Sequence, residues 1–391
     1  MIQEDLAVES GMDFHLTENQ KAVQELARDF AEKEIRPVVM KYDESQDFPF
    51  EIVQKLGELG FMGITWPEEL GGAGLTDLEA VVIIEELAKV DPSISLTVAS
   101  HNSLCTGHIM LFANDDQKRK YVPDLAGGKK LGAWGLTEPA SGSDSGAMKT
   151  IAVHDGNAWI LNGSKTFITQ GSVGSTYVIM AVTERSKGKA SVSAFILEKG
   201  MKGFTIGKKE NKLGMRCSDT ATLIFENVCV PRENLIGGVG EGFKQALSVL
   251  DGGRVGIAAL SVGIAQGALD ASVKYAKERQ QFGKPLAEFQ AIQWKLADMA
   301  TEIHAARLLT YRAAWMKSKG MNINLAAAEA KYFASEAAVR ATNEAVQIHG
   351  GYGFIKEFPV EKLYRDVKLM TIGEGTSEVQ KMVIARNLLG S

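Results

Sequence analysis

At 391 residues with 45% hydrophobic content, the chain is long enough for two or three domains, because single cores rarely grow beyond roughly 250–300 residues. Its formal net charge of -5 comes from interspersed residues of both signs, which leaves no basic footprint for nucleic acid. Cys105, Cys217 and Cys229 stand in no zinc or redox CxxC spacing, no apolar run approaches the roughly 20 residues of a bilayer span, and MIQEDLAVESGMDF lacks the basic and apolar regions of a signal peptide. The expectation is a soluble protein of a reducing compartment: cytoplasmic, or in the mitochondrial matrix if eukaryotic.

Helical patterning starts after Met12, a candidate alternative start, at LTENQKAVQELARDFAEKEI, where Val23, Leu26, Ala27 and Phe30 fall at helical spacing. IVQKLGELG and LEAVVIIEELAKV repeat the habit, and the pattern runs to about Asn114. From about Lys130 to Leu235 the texture changes to short runs rich in β-branched and aromatic residues between turn signals: AWILNG, SKTFITQG, TYVIMAVT, SVSAFILEKG, GFTIG and ATLIFENVCV. After VPRENLIGG the helical period returns in three long segments joined by short connections, which argues for a bundle. The predicted fold class is α+β, with a helical domain over 1–128, a middle antiparallel β-domain over 129–236 and a C-terminal four-helix bundle over 237–391.

Motifs for common chemistry are missing. The six histidines are scattered without metal-ligand spacing, so no metal site is expected, and there is no GxSxG elbow, Walker loop or dinucleotide-binding GxGxxG. Glycines inside helical patterns say more, since each costs about 1 kcal/mol relative to alanine. In LDGGRVG, Asp251 and Arg254 share one helix face beside Gly252 and Gly253; they can grip a polar ligand or simply pair with each other. ERQQFGKP sets a cation and an aromatic ring at a helix end, which reads as a phosphate site or a plain C-terminal cap, and HGGYG sets three glycines at another, where backbone NH groups can approach a ligand or simply make a turn. TIGEGTSEVQ presents Glu374 between Gly373 and Gly375, and a lone glutamate in a turn is ordinarily a solvated surface residue.

Taken in order, LTEPASGSD (136–144), NGSKTFIT (162–169), ENVCVPRENLIGG, RQQFGKPLAEFQ, QIHGGYGF and EGTSEVQ closely resemble the acyl-CoA dehydrogenase family of flavoenzymes over nearly the whole chain from Met12. Each motif alone is weak, and their joint order and spacing are specific. The resemblance implies the three-domain fold already expected, FAD as cofactor, a homotetramer with FAD held partly across a subunit boundary, and electron transfer to an electron-transfer flavoprotein. It also implies removal of the α-hydrogen of an acyl-CoA as a proton and of the β-hydrogen as hydride to flavin N5, giving the 2-enoyl-CoA. An α-C–H is a poor acid in water, so such chemistry needs a base of raised pKa in a dry pocket and donors at the thioester oxygen.

By the same resemblance Glu374 is the base, with Gly373 and Gly375 letting the backbone run close to the thioester. In branched-chain relatives the base lies on the long helix, and the matching residue here is Gly253. Trp134, Leu136, Thr137, Ser143 and Phe167, Ile168, Thr169 match the flavin floor and thioester approach, with Phe167 where the family usually has tryptophan. Arg279, Gln281, Phe282, Gln290, Gln347, Gly350 and Gly351 match contacts to the FAD pyrophosphate and adenosine from a neighbouring subunit. Thr376 and Glu378 follow the base toward FAD, and many relatives carry a neutral amide at the second position. Asp251 and Arg254 match pantetheine and CoA contacts, and Ser143 the substrate side of its loop.

Straight-chain members commonly carry tyrosine before the base. Gly373 in its place predicts room for branched or cyclic acyl groups beside a short linear one, and overall likeness leans to the short-chain, butyryl-CoA branch. Ser95 stands where glutaryl-CoA dehydrogenases place an arginine, which argues against a dicarboxylate. The competing readings are a family member with a different reaction, such as desulfination, and a flavin-free acyl-CoA-binding scaffold.

Overall fold

Local capping chemistry starts the helices of the first domain. The structure, a computed structural model, describes residues 15–184 and 191–390; Met12 lies outside them. Thr17 and Gln20 form a reciprocal capping box at α1 (Glu18–Phe30), which runs on through a wide turn at Ala31–Ile35. After α2 (Val39–Ser45) and α3 (Phe50–Glu58), a second box of Thr76 and Glu79 opens α4 (Asp77–Ala88). Asp91 caps α5 (Pro92–Ser100), a wide turn over His101–Thr106 follows, and then α6 (Gly107–Phe112). The periodic pattern fades at Asn114, yet Asn114 itself caps one more helix, α7 (Asp115–Ala126), through a box with Gln117. That helix is polar, carries Pro123 and buries few large apolar side chains, so its period is hard to read.

The middle domain is one eight-stranded sheet: β1 (Gly132–Gly135), β2 (Ile151–Asp155), β3 (Ala158–Thr169), β4 (Thr176–Val182), β5 (Val192–Glu198), β6 (Phe204–Lys209), β7 (Thr220–Pro231) and β8 (Leu235–Ile236). The order is β6-β7-β3-β2-β4-β5-β8, with β1 beside β4. Pairing is mainly antiparallel; β1 enters from the helical domain rather than from a hairpin and joins β4 in parallel, Gly132 opposite Thr176. Between Lys165 and Ile168 the β3–β7 register shifts, and this bulge turns Phe167 outward at φ 57° while Lys165 and Ile168 on either side stay buried.

The C-terminal domain is built on α8 (Gly242–Glu278), a short hairpin of β9 (Gln280–Gln281) and β10 (Lys284–Pro285), α9 (Gln290–Ser318), α10 (Asn324–His349), α11 (Pro359–Val367) and α12 (Ser377–Leu389). The long helices α8, α9 and α10 pack on one another, α12 lies along α10, and α4 crosses onto α8 and α9. Among the described residues α8 alone is long and apolar enough to cross a membrane, and most of its apolar window is buried inside the protein. Alanines 327, 330, 334, 338, 341 and 345 line the buried face of α10, so the bundle closes on small side chains.

Candidate active site

The break in helical pattern near the C-terminus is a chain reversal. After α11, the amides of Ile372 and Gly373 both donate to Leu369 O, at 2.9 and 2.8 Å. Glu374 then adopts φ 54° and Gly375 φ 91°, two left-handed residues in succession, and Thr376 caps α12. A glutamate held in that region is a strained choice that the surrounding packing has to enforce. Gly375 suits its place twice over, since a Cβ there would also lie 2.7 Å from Gln380 Nε2. Gly373 is different, because a Cβ would meet only Leu369 at ordinary contact distances of 3.5 Å and more.

The reversal turns the Glu374 side chain inward. Its Oε2 is enclosed and, among the described residues, has no hydrogen-bond partner. It lies against Gly253 of α8 so closely that a Cβ on Gly253 would overlap Oε2. Burial pushes the carboxyl up to about 7, with Lys331 and Arg254 partly offsetting the shift. A carboxyl pushed up to about 7, with one oxygen enclosed and unpartnered among the described residues, is poised to take a proton from a weak carbon acid.

Two side chains hold the turn from behind. Lys331, fully buried on α10, donates to Gly375 O at 2.7 Å, and Gln380 Nε2 donates to the same oxygen at 2.9 Å. On α8, Arg254 Nη1 donates to Asp251 Oδ1, which also accepts from Asn324 Nδ2 at 3.0 Å. The intrahelical pair anticipated from spacing therefore forms, while Arg254 Nε, buried, has no partner among the described residues. A cleft of about 600 Å³ opens beside Asp251 and Gly252, lined by Trp66, Ile84, Ala99 and Val255; Glu374 does not line it.

On the β-domain, the amide of Thr166 donates to Thr137 O at 2.9 Å, which brings the 134–143 and 167–169 segments side by side. Lys165 fixes this arrangement: fully buried, it donates to Leu136 O at 3.1 Å and Glu138 Oε1 at 2.7 Å, and burial pulls its ammonium down to about 8 against the opposing pull of Glu138. Trp134 is buried and donates to His108 Nδ1 at 3.0 Å, and His108, kept neutral by burial, is backed by Gln245. Leu136 and Ile168 are buried, Thr137 and Thr169 partly so, and Ser143 and Phe167 are exposed.

The remaining predicted residues collect at the far end of the bundle. A cavity of about 480 Å³ is lined by Tyr275, Arg279, Gln281, His349, Gly350 and Gly351. Arg279 lies over the Tyr352 ring at 5.3 Å, Phe282 is 94% exposed, and Gln290 and Gln347 are exposed nearby in the chain. Arg254 and Arg279 are 25 residues apart on α8 and its C-cap, about 38 Å at the helical rise, so this group lies well along α8 from the stretch beside Glu374. Thr376 is spent on capping, its Oγ1 accepting from Val379 N at 3.3 Å, and Glu378 is exposed on the first turn of α12.

Sequence reasoning missed Lys331, Gln380, Lys165 and His108. Lys331 carried a legible signal: it is a single cation on the alanine face of α10, three to four residues from Ala327, Ala328 and Ala334. The partners of Lys165 and His108 lie on other elements, and no local pattern announces them.

Three family profiles match in chain order: "Acyl-CoA dehydrogenase, N-terminal domain" over residues 17–129, "Acyl-CoA dehydrogenase, middle domain" over 133–228 and "Acyl-CoA dehydrogenase, C-terminal domain" over 240–389. The short-chain specific acyl-CoA dehydrogenase of Clostridium acetobutylicum is 49% identical over 374 residues, spanning 96% of this chain and 99% of that one. Butyryl-CoA dehydrogenase from Megasphaera elsdenii superposes with a TM-score of 0.95 at 46% identity, covering 97% of this chain and 100% of that one. A chain solved in work on the electron transferring flavoprotein of Acidaminococcus fermentans and flavin-based electron bifurcation gives 0.96 at 49%, with coverage of 97% and 100%.

Agreement over the full length at such identity makes the chain a flavin-dependent oxidoreductase. More narrowly, it belongs to the acyl-CoA dehydrogenase family, and its cofactor is FAD. The residues fit that group: Gly350 and Gly351 leave open space where a Cβ would stand, beside the guanidinium of Arg279, as a pyrophosphate requires. The outward ring of Phe167 offers a stacking face on the β-domain.

Proposed function

We propose that this enzyme oxidises a short-chain acyl-CoA to its 2-enoyl-CoA, with Glu374 taking the α-proton, and passes the electrons to an electron-transfer flavoprotein. The observation that carries the reading is the Glu374 carboxyl, its Oε2 enclosed and unpartnered among the described residues and its pKa raised to about 7. FAD, when bound, supplies the acceptor for the β-hydrogen as hydride. The protein holds and aims the base: the left-handed turn directs Glu374 inward, Lys331 and Gln380 tie down Gly375 O, and Gly253 leaves room for the carboxylate. Asp251 and Arg254 hold the pantetheine arm, a role that suits the buried Nε of Arg254 with its unused donor.

Trp134, Leu136, Thr137, Ser143, Phe167, Ile168 and Thr169 hold the flavin of their own subunit. Arg279, Gln281, Phe282, Gln290, Gln347, Gly350 and Gly351 hold the pyrophosphate and adenosine of a neighbour's. The separation of about 38 Å along α8 between Arg254 and Arg279 is in keeping with this division, since it sets the second group well away from the acyl-CoA end of its own chain. The division in turn implies a homo-oligomer, here a tetramer. Three unpaired cysteines, two of them buried, suit a cytoplasmic enzyme.

For the acyl group, Gly373 leaves the space beside the base free of a ring, and Leu369 stands next to it. Short linear chains and small branched or cyclic ones fit this reading. A dicarboxylate does not, since Ser95 is buried and donates to Ile84 O at 2.8 Å. The test is anaerobic flavin bleaching with butyryl-, isobutyryl-, isovaleryl-, hexanoyl- and cyclohexanecarboxyl-CoA, in parent and Glu374→Gln. Bleaching by a short-chain thioester in the parent and none in the variant is expected; a colourless protein that cannot take up FAD, or undiminished bleaching in Glu374→Gln, overturns the assignment.

A further inference from the structure

We propose that Lys331 is a positioning residue for proton abstraction: its ammonium anchors the base-bearing turn at Gly375 O and holds the Glu374 carboxylate in its ionised, proton-accepting form. The inference rests on the reading of Glu374 as the base and deepens it.

Lys331 is 0% exposed on the alanine-lined face of α10, where an apolar side chain of similar volume would pack at less cost. Its Nζ donates to Gly375 O at 2.7 Å, one residue from Glu374, and that oxygen is shared with Gln380. Glu374 Oε2 has no hydrogen-bond partner among the described residues, so nothing in direct contact with that oxygen favours its charge. The charges that act on it come through space, from Lys331 on α10 and Arg254 on α8. Arg254 already shares its positive charge with Asp251. Lys331 has no carboxylate within ion-pair distance among the described residues, so its field is directed at the turn.

The groups that act on Lys331 are Glu374 and Glu378 from the turn and α12, Arg254 from α8, and Glu336 on its own helix, itself bonded to Ser377 Oγ. Burial draws the ammonium down to about 8, and Glu374 is the largest opposing influence. The coupling is reciprocal: whatever Lys331 does to the ionisation of Glu374, Glu374 does to Lys331.

The test compares Lys331→Met, which removes the charge and roughly keeps the volume, with Lys331→Arg, which keeps the charge, both as the FAD-loaded enzyme. In Lys331→Met the acidic limb of the kcat/KM profile moves up by about one unit, with about fivefold loss at pH 7 and little at pH 9; Lys331→Arg restores the limb. An unmoved limb in Lys331→Met, or an equal movement in both variants, overturns the proposal and leaves Lys331 a packing residue. Should Lys331→Met not fold, ¹⁵N NMR of the lysine side chains decides: in Glu374→Gln the Lys331 ammonium titrates about one unit lower than in the parent, and an unchanged titration overturns the coupling. That titration holds or fails whether or not Glu374 is the base, which the loss of bleaching in Glu374→Gln tests separately.

Discussion

Gly253→Ala separates helix chemistry from catalysis at one methyl group. Position 253 lies inside α8, where alanine replaces glycine with a gain of about 1 kcal/mol in helix propensity. The new Cβ would overlap Glu374 Oε2 and lie 3.0 Å from its Cδ and 3.3 Å from Leu104 Cδ2, so the carboxylate has to retreat by about 1.4 Å to regain an ordinary contact. A misplacement of that size costs a general base about 10²-fold in rate. Gly252→Ala is the control, because its Cβ meets only the flexible tip of Lys317, at 3.3 and 3.4 Å. Steady-state kinetics and thermal melts on both variants are the assay. The expected result is a Gly253→Ala protein that melts no lower than the parent and turns over about 10²-fold more slowly, with Gly252→Ala keeping the parent's rate. A Gly253→Ala enzyme within about threefold of parental kcat refutes the placement of the base against α8.

Two further predictions concern buried charge. The Glu374 carboxyl is protonated in folded and unfolded chains alike below about pH 4.5, and above about pH 7 it is ionised in both, desolvated only in the folded one; stability therefore falls as pH rises through that window, by about 3 kcal/mol. Glu374→Gln escapes the loss, so its melting temperature gains on the parent's between pH 5 and pH 8, and an equal gap at both values contradicts the burial argument. Lys165→Met strips Glu138 of its buried partner and costs about 3–5 kcal/mol. Because the same lysine holds Leu136 O, the variant is expected to purify with less FAD per chain, measured by absorbance; full FAD content at a lowered melting temperature argues that Lys165 serves stability alone.

Much of the fold was legible because its signals are local. The helical periods read after Met12 and in LEAVVIIEELAKV become helices, and their starts are set by local boxes at Thr17 and Thr76. The alternating runs from AWILNG onward become strands, and the DGGRVG spacing becomes an ion pair. Where the local signal was poor the reading thinned: α7 hid behind its polar surface and Pro123, and the parallel placement of β1 depends on contacts made 44 residues later in the chain, at Thr176. EGT marked Glu374 as a residue with a task through family likeness; its own neighbours in sequence describe only a turn.

By itself, then, the sequence determined the order of helical, β and helical domains and the placing of Glu374 between two glycines, since periodicity and capping act over a few residues. Only the tertiary structure decided what that carboxylate is. Burial against Gly253 of α8 raises its pKa, with Lys331 partly offsetting the rise, and its aim is fixed by Lys331 on α10 and Gln380 on α12 converging on one turn. Tertiary structure also set Arg279 and Gly351 together at the C-terminal end of α8, away from the stretch of that helix that packs on Glu374. Desolvation and distance are properties of what surrounds a residue in space, and Gly253, Arg254 and Lys331, which act on Glu374, all lie far from it in the chain.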